Sequence, residues 1–237
     1  MIKPADFFDL SNEVAQLLFR DCAYVWQALA QIDRCISELV GKNQIILGTI
    51  MPGAHIGDKP IFVDKGAVVE PGAFIQGPAY IGAKAIVRHG AYIRGNVIML
   101  PESLLGHASE AKNSLFLPKA LAPHFNYIGD SILGQRVNLG AGTKLSNLAI
   151  NSEKDPITRK RPTIRIRIGN TDYDTGLEKL GGILGDDVQT GCNAVLNPGC
   201  LVGQSTLIYA DVSLRKGYYP PRVIIKLRQQ IEQVEKT

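Results

Sequence analysis

The sequence predicts a mainly β protein, a parallel β-helix of six-residue repeats with helices at both ends and one inserted arm. Three observations carry this. Apolar residues recur at every sixth position, as Val63, Val69, Ile75, Ile81, Val87, Ile93, Met99 and Leu105. Small residues stand two places before several of them, at Ala67, Ala73, Ala79, Ala85 and Ala91. The step returns as Leu133, Leu139 and Leu145, then as Leu184, Thr190, Leu196, Val202, Ile208 and Leu214. Neither the period of a strand nor that of a helix puts every sixth residue on one buried line. Short strands joined by turns into a coil do, with side chains stacked at about 4.8 Å and alanines filling the corners.

The elements follow in chain order. Between Ser11 and Val40, apolar residues at Val14, Leu17, Leu18, Cys22, Val25, Leu29, Ile32, Ile36 and Leu39 have helical spacing. Ser11 reads as the N-cap and Gly41 as the stop, so residues 1–45 form one broken helix or two that cap the coil and shield its open end. The coil occupies 46–218 with an insertion at 148–182. There Ile164, Ile166 and Ile168 alternate with Arg165 and Arg167, a strand pattern. It reads as an arm with a solvated basic face or as a cationic lip over an anionic ligand. After "GYYPPR", residues 219–237 carry Ile224, Ile225, Leu227, Ile231 and Val234 among charges, which predicts a short amphipathic helix.

Composition narrows the function. The chain has 237 residues, 45% hydrophobic and 20% charged, within the range of a soluble globular protein. A net charge of +4 would help attract phosphorylated small molecules but reads mostly as solubility, and it is too mild for a nucleic-acid binder. The opening "MIKPADFFDL" breaks any secretory core with two aspartates and a proline, and no stretch approaches the roughly 20 apolar residues of a membrane span, so a cytoplasmic protein without membrane contact is expected. Cys22, Cys35, Cys192 and Cys200 show neither C-x-x-C nor zinc spacing and read as small packed residues.

Paired residues such as Ile81-Gly82, Leu105-Gly106, Leu133-Gly134 and Val202-Gly203, with x-P-G turns at Pro71 and Pro198, resemble the hexapeptide-repeat acyltransferases. That resemblance implies a left-handed parallel β-helix of eighteen residues per turn and a homotrimer. On an eighteen-residue turn Arg94 lies over Lys112, and His89 over His107. Two cations about 5 Å apart repel by roughly 3 kcal/mol at an effective dielectric of 20, and an anion between them reverses the sign. Either both side chains splay into solvent or they hold a phosphate. The histidine pair reads as ordinary hydrogen-bonded or exposed histidines, or as part of a zinc site shared between subunits, although the H-x-x-x-x-H spacing of gamma-class carbonic anhydrases is absent. His124 falls where the six-step phase slips between Leu105 and Leu133, and such departures from regularity mark strained or functional places.

The stretches "GHASEAKNS" (106–114), "APHFNYIGDSILGQRVNLGAGTKLSN" (122–147) and "TGLEKLGGILGDDVQTGCNAVLNPG" (175–199) resemble the acetyltransferase half of bifunctional glucosamine-1-phosphate N-acetyltransferase/UDP-N-acetylglucosamine pyrophosphorylase. The resemblance implies His124 as general base, Arg94 and Lys112 as sugar-phosphate ligands, and Tyr127 and Asn138 as further contacts to substrate and base. It also implies an acetyl-CoA groove lined by Ala141, Asn147, Cys192 and Ala210, with Lys179 reaching the site from a neighbouring subunit. An imidazole with a reference pKa near 6.5 is suited to take the proton an amino-sugar ammonium must lose before it attacks a thioester. Oxyanion donors are either backbone N–H groups of "NLGAGT" or Asn138.

Residues 1–50 lack the Gly-rich start of the nucleotidyltransferase domain, so uridylyl transfer is not expected. The insertion resembles archaeal-type relatives, which tolerate other amino sugars. The expected activity is acetyl transfer from acetyl-CoA, as co-substrate and without a metal, to an amino-sugar 1-phosphate, with glucosamine 1-phosphate first. The competing readings are a silent β-helix partner of a separate sugar nucleotidyltransferase and an acyltransferase for another amino sugar.

Overall fold

In the computed structural model, which describes residues 2–235, the six-step residues form the core. Val63 through Leu105 at that step are 0% exposed, as are Leu133, Leu139, Leu145, Leu184, Leu196 and Val202. The corner alanines from Ala67 to Ala91 are at most 1% exposed. Thr190 is the polar residue on this ladder, and its hydroxyl is satisfied by Thr143 Oγ1 at 2.8 Å and by the Gly140 N–H at 3.0 Å. Among the described residues the coil makes two parallel sheets of nine strands and one of eight, here called the first face (starting at Gln44–Ile46), the second (Thr49–Ile50) and the third (His55–Ile56).

The eighteen-residue turn holds only in part. Ile61 pairs with Ala79 and Ala79 with Val97, steps of 18, but Val97 pairs with Ser114 and Leu104 with Leu121, steps of 17. The residue is lost at the corner between the third and first faces. Gly95 and Asn96 turn that corner in one coil, whereas Asn113 alone and Asp130 alone turn it in the next two, each at φ 46°. A left-handed backbone is uncommon outside glycine, and Asn and Asp tolerate it best. This shortened corner is the phase slip seen in the sequence.

The N-terminal segment does not cap the end of the coil. Helix α1 (Glu13–Phe19), a 3₁₀ segment at Val25–Gln31 and helix α2 (Ile32–Val40) lie along the outside of the first face. There Ile98, Leu115, Ile132, Ile183 and Leu201 point outward yet are 0% exposed, packed with Phe7, Leu18, Trp26 and Ile36. Runs such as "VIM", "SLF" and "CLV" are therefore buried on both sides, as strands covered on both faces must be. The cap of α1 is Asn12, whose side chain accepts from the Val14 and Ala15 N–H groups at 3.0 and 3.1 Å, one residue beyond the expected Ser11. Gly41 ends α2 at φ 67°, as expected.

The segment is pinned by Asp186, 4% exposed. Its carboxylate accepts from the N–H groups of Asp9 and Gln135, both at 2.7 Å, and burial holds its pKa above the ordinary aspartate value.

The insertion leaves the coil after Asn147 and rejoins it near Gly182, so that Ile132 pairs with Ile183 and Lys144 with Val195. It forms an antiparallel hairpin, Arg165–Ile168 with Thr171–Asp174. Ile166 is fully buried, and Tyr173 meets the rings of Tyr24 and Trp26 at 5.7 and 6.2 Å, so the arm shares the apolar layer over the first face. Arg167 pairs with Asp172 of the same hairpin at 2.9 Å, which favours a solvated basic face over a cationic lip.

The expected C-terminal helix is not formed. Ile224–Ile225 add a strand beside Leu207–Ile208, and residues 226–235 carry no helix, with Ile231 and Val234 exposed. A short helix with no surface to bury its apolar side is marginal in water. Residues 236 and 237 of that expectation lie outside the described residues.

Candidate active site

Strand alternation on the third face decides which side chains meet. Ile93, Ala111 and Ile128 point inward, so their neighbours Arg94, Glu110, Lys112 and Tyr127 project outward from three adjacent strands. Arg94 and Lys112 do follow stacked ladder residues, as expected, but they do not face each other as bare cations. Arg94 Nη1 bonds Glu110 Oε1 at 2.8 Å, and Lys112 Nζ bonds both oxygens of Asp130 at 3.1 and 3.2 Å. The protein's own carboxylates supply the negative charge that the stacking requires. Bonding to Glu110 also raises the guanidinium pKa of Arg94 further.

Asp130 is the centre of this group. It is 5% exposed, accepts from Asn113 Nδ2 at 2.9 Å and from Asn147 Nδ2, and sits at the shortened corner directly after Gly129, the register partner of Lys112. Asn147 Oδ1 accepts from the Tyr127 hydroxyl at 3.4 Å, and burial raises the tyrosine pKa. Gly129 makes room for both. A Cβ there would stand 2.7 Å from Asn147 Nδ2 and from Tyr127 Oη.

His124 lies on the edge between the second and third faces, three residues before Tyr127. Its backbone N–H is held by Asn126 Oδ1 at 3.1 Å, while its imidazole is exposed and makes no hydrogen bond among the described residues. Phe125 follows at φ 53°, itself 56% exposed. A ladder of backbone bonds marks this edge: the carbonyls of His89, His107, His124, Ala141 and Cys192 accept from Ala108, Phe125, Gly142, Asn193 and Asp211. The expected pair of His89 and His107 is stacked, with ring centroids 5.4 Å apart and planes at 6°. Each Nδ1 meets a carbonyl of the preceding coil, Pro71 at 2.6 Å and His89 at 3.0 Å.

The structure divides the expected groove residues. Ala141 and Cys192 continue the His124 edge, and Ala210 joins them, directly before Asp211. Asn147 sits instead in the Asp130 cluster, at the far side of the third face. Asn138 is half-buried on the second face, paired with Leu121 and Gln189. Lys179 is exposed, and the two residues after it bond the Asn147 and Asp130 carbonyls of the same chain. A cavity of about 290 Å³ opens beside Ala210, lined by Thr190, Gly191 and Tyr209.

Glu110, Asn113 and Asp130 were not anticipated as site residues. The signal existed, because Asp130 follows Lys112 by the same eighteen positions that separate Lys112 from Arg94.

No protein-family model matches the chain. Among curated proteins it is 30% identical to the bifunctional protein GlmU of Methanococcus maripaludis over 193 residues, 81% of this chain and 44% of that protein. It is 29% identical to the bifunctional sugar-1-phosphate nucleotidylyltransferase/acetyltransferase of Sulfurisphaera tokodaii, over 73% of this chain and 41% of that one. The chain thus spans less than half the length of these relatives. Among solved structures, the acetyltransferase domain of PglB from Neisseria gonorrhoeae is similar at 13% identity and TM-score 0.21, over 81% of this chain and 60% of that one.

Proposed function

We propose, from the homology of this chain to the bifunctional sugar-1-phosphate nucleotidylyltransferase/acetyltransferases, that it moves the acetyl group of acetyl-CoA to the amine of an amino-sugar 1-phosphate, glucosamine 1-phosphate first. The observation that carries this is one arrangement: an exposed, unbonded imidazole at His124 next to a face that presents Arg94, Lys112 and Tyr127. His124 takes the ammonium proton, the amine attacks the thioester carbonyl, and the tetrahedral intermediate collapses by breaking its C–S bond; CoA leaves as the thiol with the nitrogen's surplus proton, and His124 passes its own proton to solvent. Arg94 and Lys112 hold the phosphate. Arg94 uses one of its five N–H donors on Glu110, which leaves a fork for phosphate oxygens. Tyr127 contacts the sugar, its hydroxyl held by the buried Asn147. Acetyl-CoA as co-substrate runs along the small residues Ala141, Cys192 and Ala210, and the oxyanion is stabilised by Asn138 or by the backbone N–H of Ala141, because the Gly140, Gly142 and Thr143 N–H groups already donate to carbonyls.

The working unit in this proposal is a homotrimer. The second face carries an outward aliphatic column on four consecutive coils, Val68, Ile86 and Leu121 half-buried and Leu104 9% exposed, and Lys179 then serves a neighbouring site.

The test is thiol release from acetyl-CoA in the presence of glucosamine 1-phosphate, galactosamine 1-phosphate or neither. Release only with an amino-sugar phosphate is expected, and the faster acceptor names the substrate. His124→Ala lowers the rate by about 10²- to 10⁴-fold with unchanged circular dichroism. Saturable acetyl-CoA binding with no thiol release, or a His124→Ala variant as fast as wild type, ends the proposal.

A further inference from the structure

We infer that Asp130 is a positioning residue that clamps Lys112 and, through Asn147, orients the Tyr127 hydroxyl, so that the phosphate-holding charge is fixed in place before any ligand arrives. Only the identity of what Lys112 holds rests on the acetyl-transfer reading; the clamp itself does not. A corner needs a residue that tolerates φ 46°, and Asn113 shows that an uncharged amide meets that need one coil earlier. The carboxylate at 130 therefore has a second role.

Its contacts show which. Lys112 Nζ lies 3.1 and 3.2 Å from the two oxygens, Oδ1 also takes Asn113 Nδ2 at 2.9 Å, and Oδ2 also takes Asn147 Nδ2. The backbone closes the arrangement, since Asp130 N–H donates to the Lys112 carbonyl at 2.9 Å and Gly181 N–H donates to the Asp130 carbonyl at 2.8 Å. Asp130 thus ties together the strand that carries Lys112, the last coil residue before the arm and the point where the arm returns. A lysine is a flexible point charge with three rotatable donors. Two charge-assisted bonds to a 5% exposed carboxylate remove that freedom, while 29% of the lysine side chain stays open to solvent for a ligand.

The experiment is acetylation of lysines by sulfosuccinimidyl acetate with site-resolved mass spectrometry, on wild type and Asp130→Asn, alongside acceptor kinetics. In wild type Lys112 reacts at least about fivefold more slowly than exposed Lys84, and equal rates overturn the clamp whether or not the variant folds. In folded Asp130→Asn, Lys112 accelerates at least about fivefold while Lys84 keeps its rate; an unchanged Lys112 rate also overturns it. The KM for the amino-sugar phosphate rises at least about tenfold, with kcat falling less than about threefold. A freed Lys112 with unchanged KM shows that the clamp does not preset the phosphate site and overturns that half of the inference. Absence of thiol release in wild type defeats the acetyl-transfer reading alone, because the labelling rates are read without it.

Discussion

Gly129 shows how one missing methyl group builds the candidate site. Its absent Cβ is the space through which Asn147 and Tyr127 reach each other, and any side chain would stand 2.7 Å from both. Gly129→Ala should therefore push the two apart, costing about 1–3 kcal/mol of stability and raising the KM for the acceptor more than that for acetyl-CoA. Thermal melts and steady-state kinetics check this, and equal rises in both KM values would count against it. At this scale the sequence was informative about which cations stack, because Arg94 and Lys112 follow inward ladder residues. The eighteen-position spacing from Lys112 also pointed to Asp130 but not to its bonds, because in the 17-residue register Lys112 pairs with Gly129 and Asp130 follows at the corner, from where its carboxylate meets the ammonium.

Elements are held to the coil by a few buried polar links, of which Asp186 is the clearest. Burial raises its pKa above the ordinary 3.8, so the folded chain keeps a proton that the unfolded chain releases. The stabilisation from this group is full below 3.8 and is lost as pH rises through the folded value. Asp186→Asn removes the titration and one of the two bonds from Asp9 and Gln135. Denaturant unfolding across that range should show wild type losing stability relative to Asp186→Asn as pH increases, and a difference independent of pH would contradict it. The helices themselves were legible from spacing and from Gly41. Their place was not, because an amphipathic helix packs equally well on a coil end or on a sheet, and the choice was made by Ile98, Leu115 and Ile183, whose outward direction only the coil register defines.

At the scale of the whole molecule the three faces differ in what covers them. Ile98 and Ile86 both point outward from their strands, yet Ile98 is fully buried under the helical layer whereas Ile86 is half-buried on the uncovered second face. Ile98→Asp should unfold or destabilise the chain by about 3 kcal/mol or more. Ile86→Asp should leave the fold within about 1 kcal/mol of wild type and, on the homotrimer proposal, dissociate it. Chemical denaturation and sedimentation velocity separate the two, and similar destabilisation by both would contradict this account of the faces.

The sequence by itself determined the coil, the interruption by an arm and the order of residues along the candidate site, because a six-residue apolar period has few physical solutions and each buried position must be filled locally. Tertiary structure decided which face the helices cover, that the last segment forms no helix, that Asn147 joins Asp130 instead of the His124 edge, and that carboxylates neutralise the stacked cations. Those outcomes depend on contacts between residues one or more coils apart, and a change of one residue per turn, from 18 to 17, moves every such contact to a new neighbour.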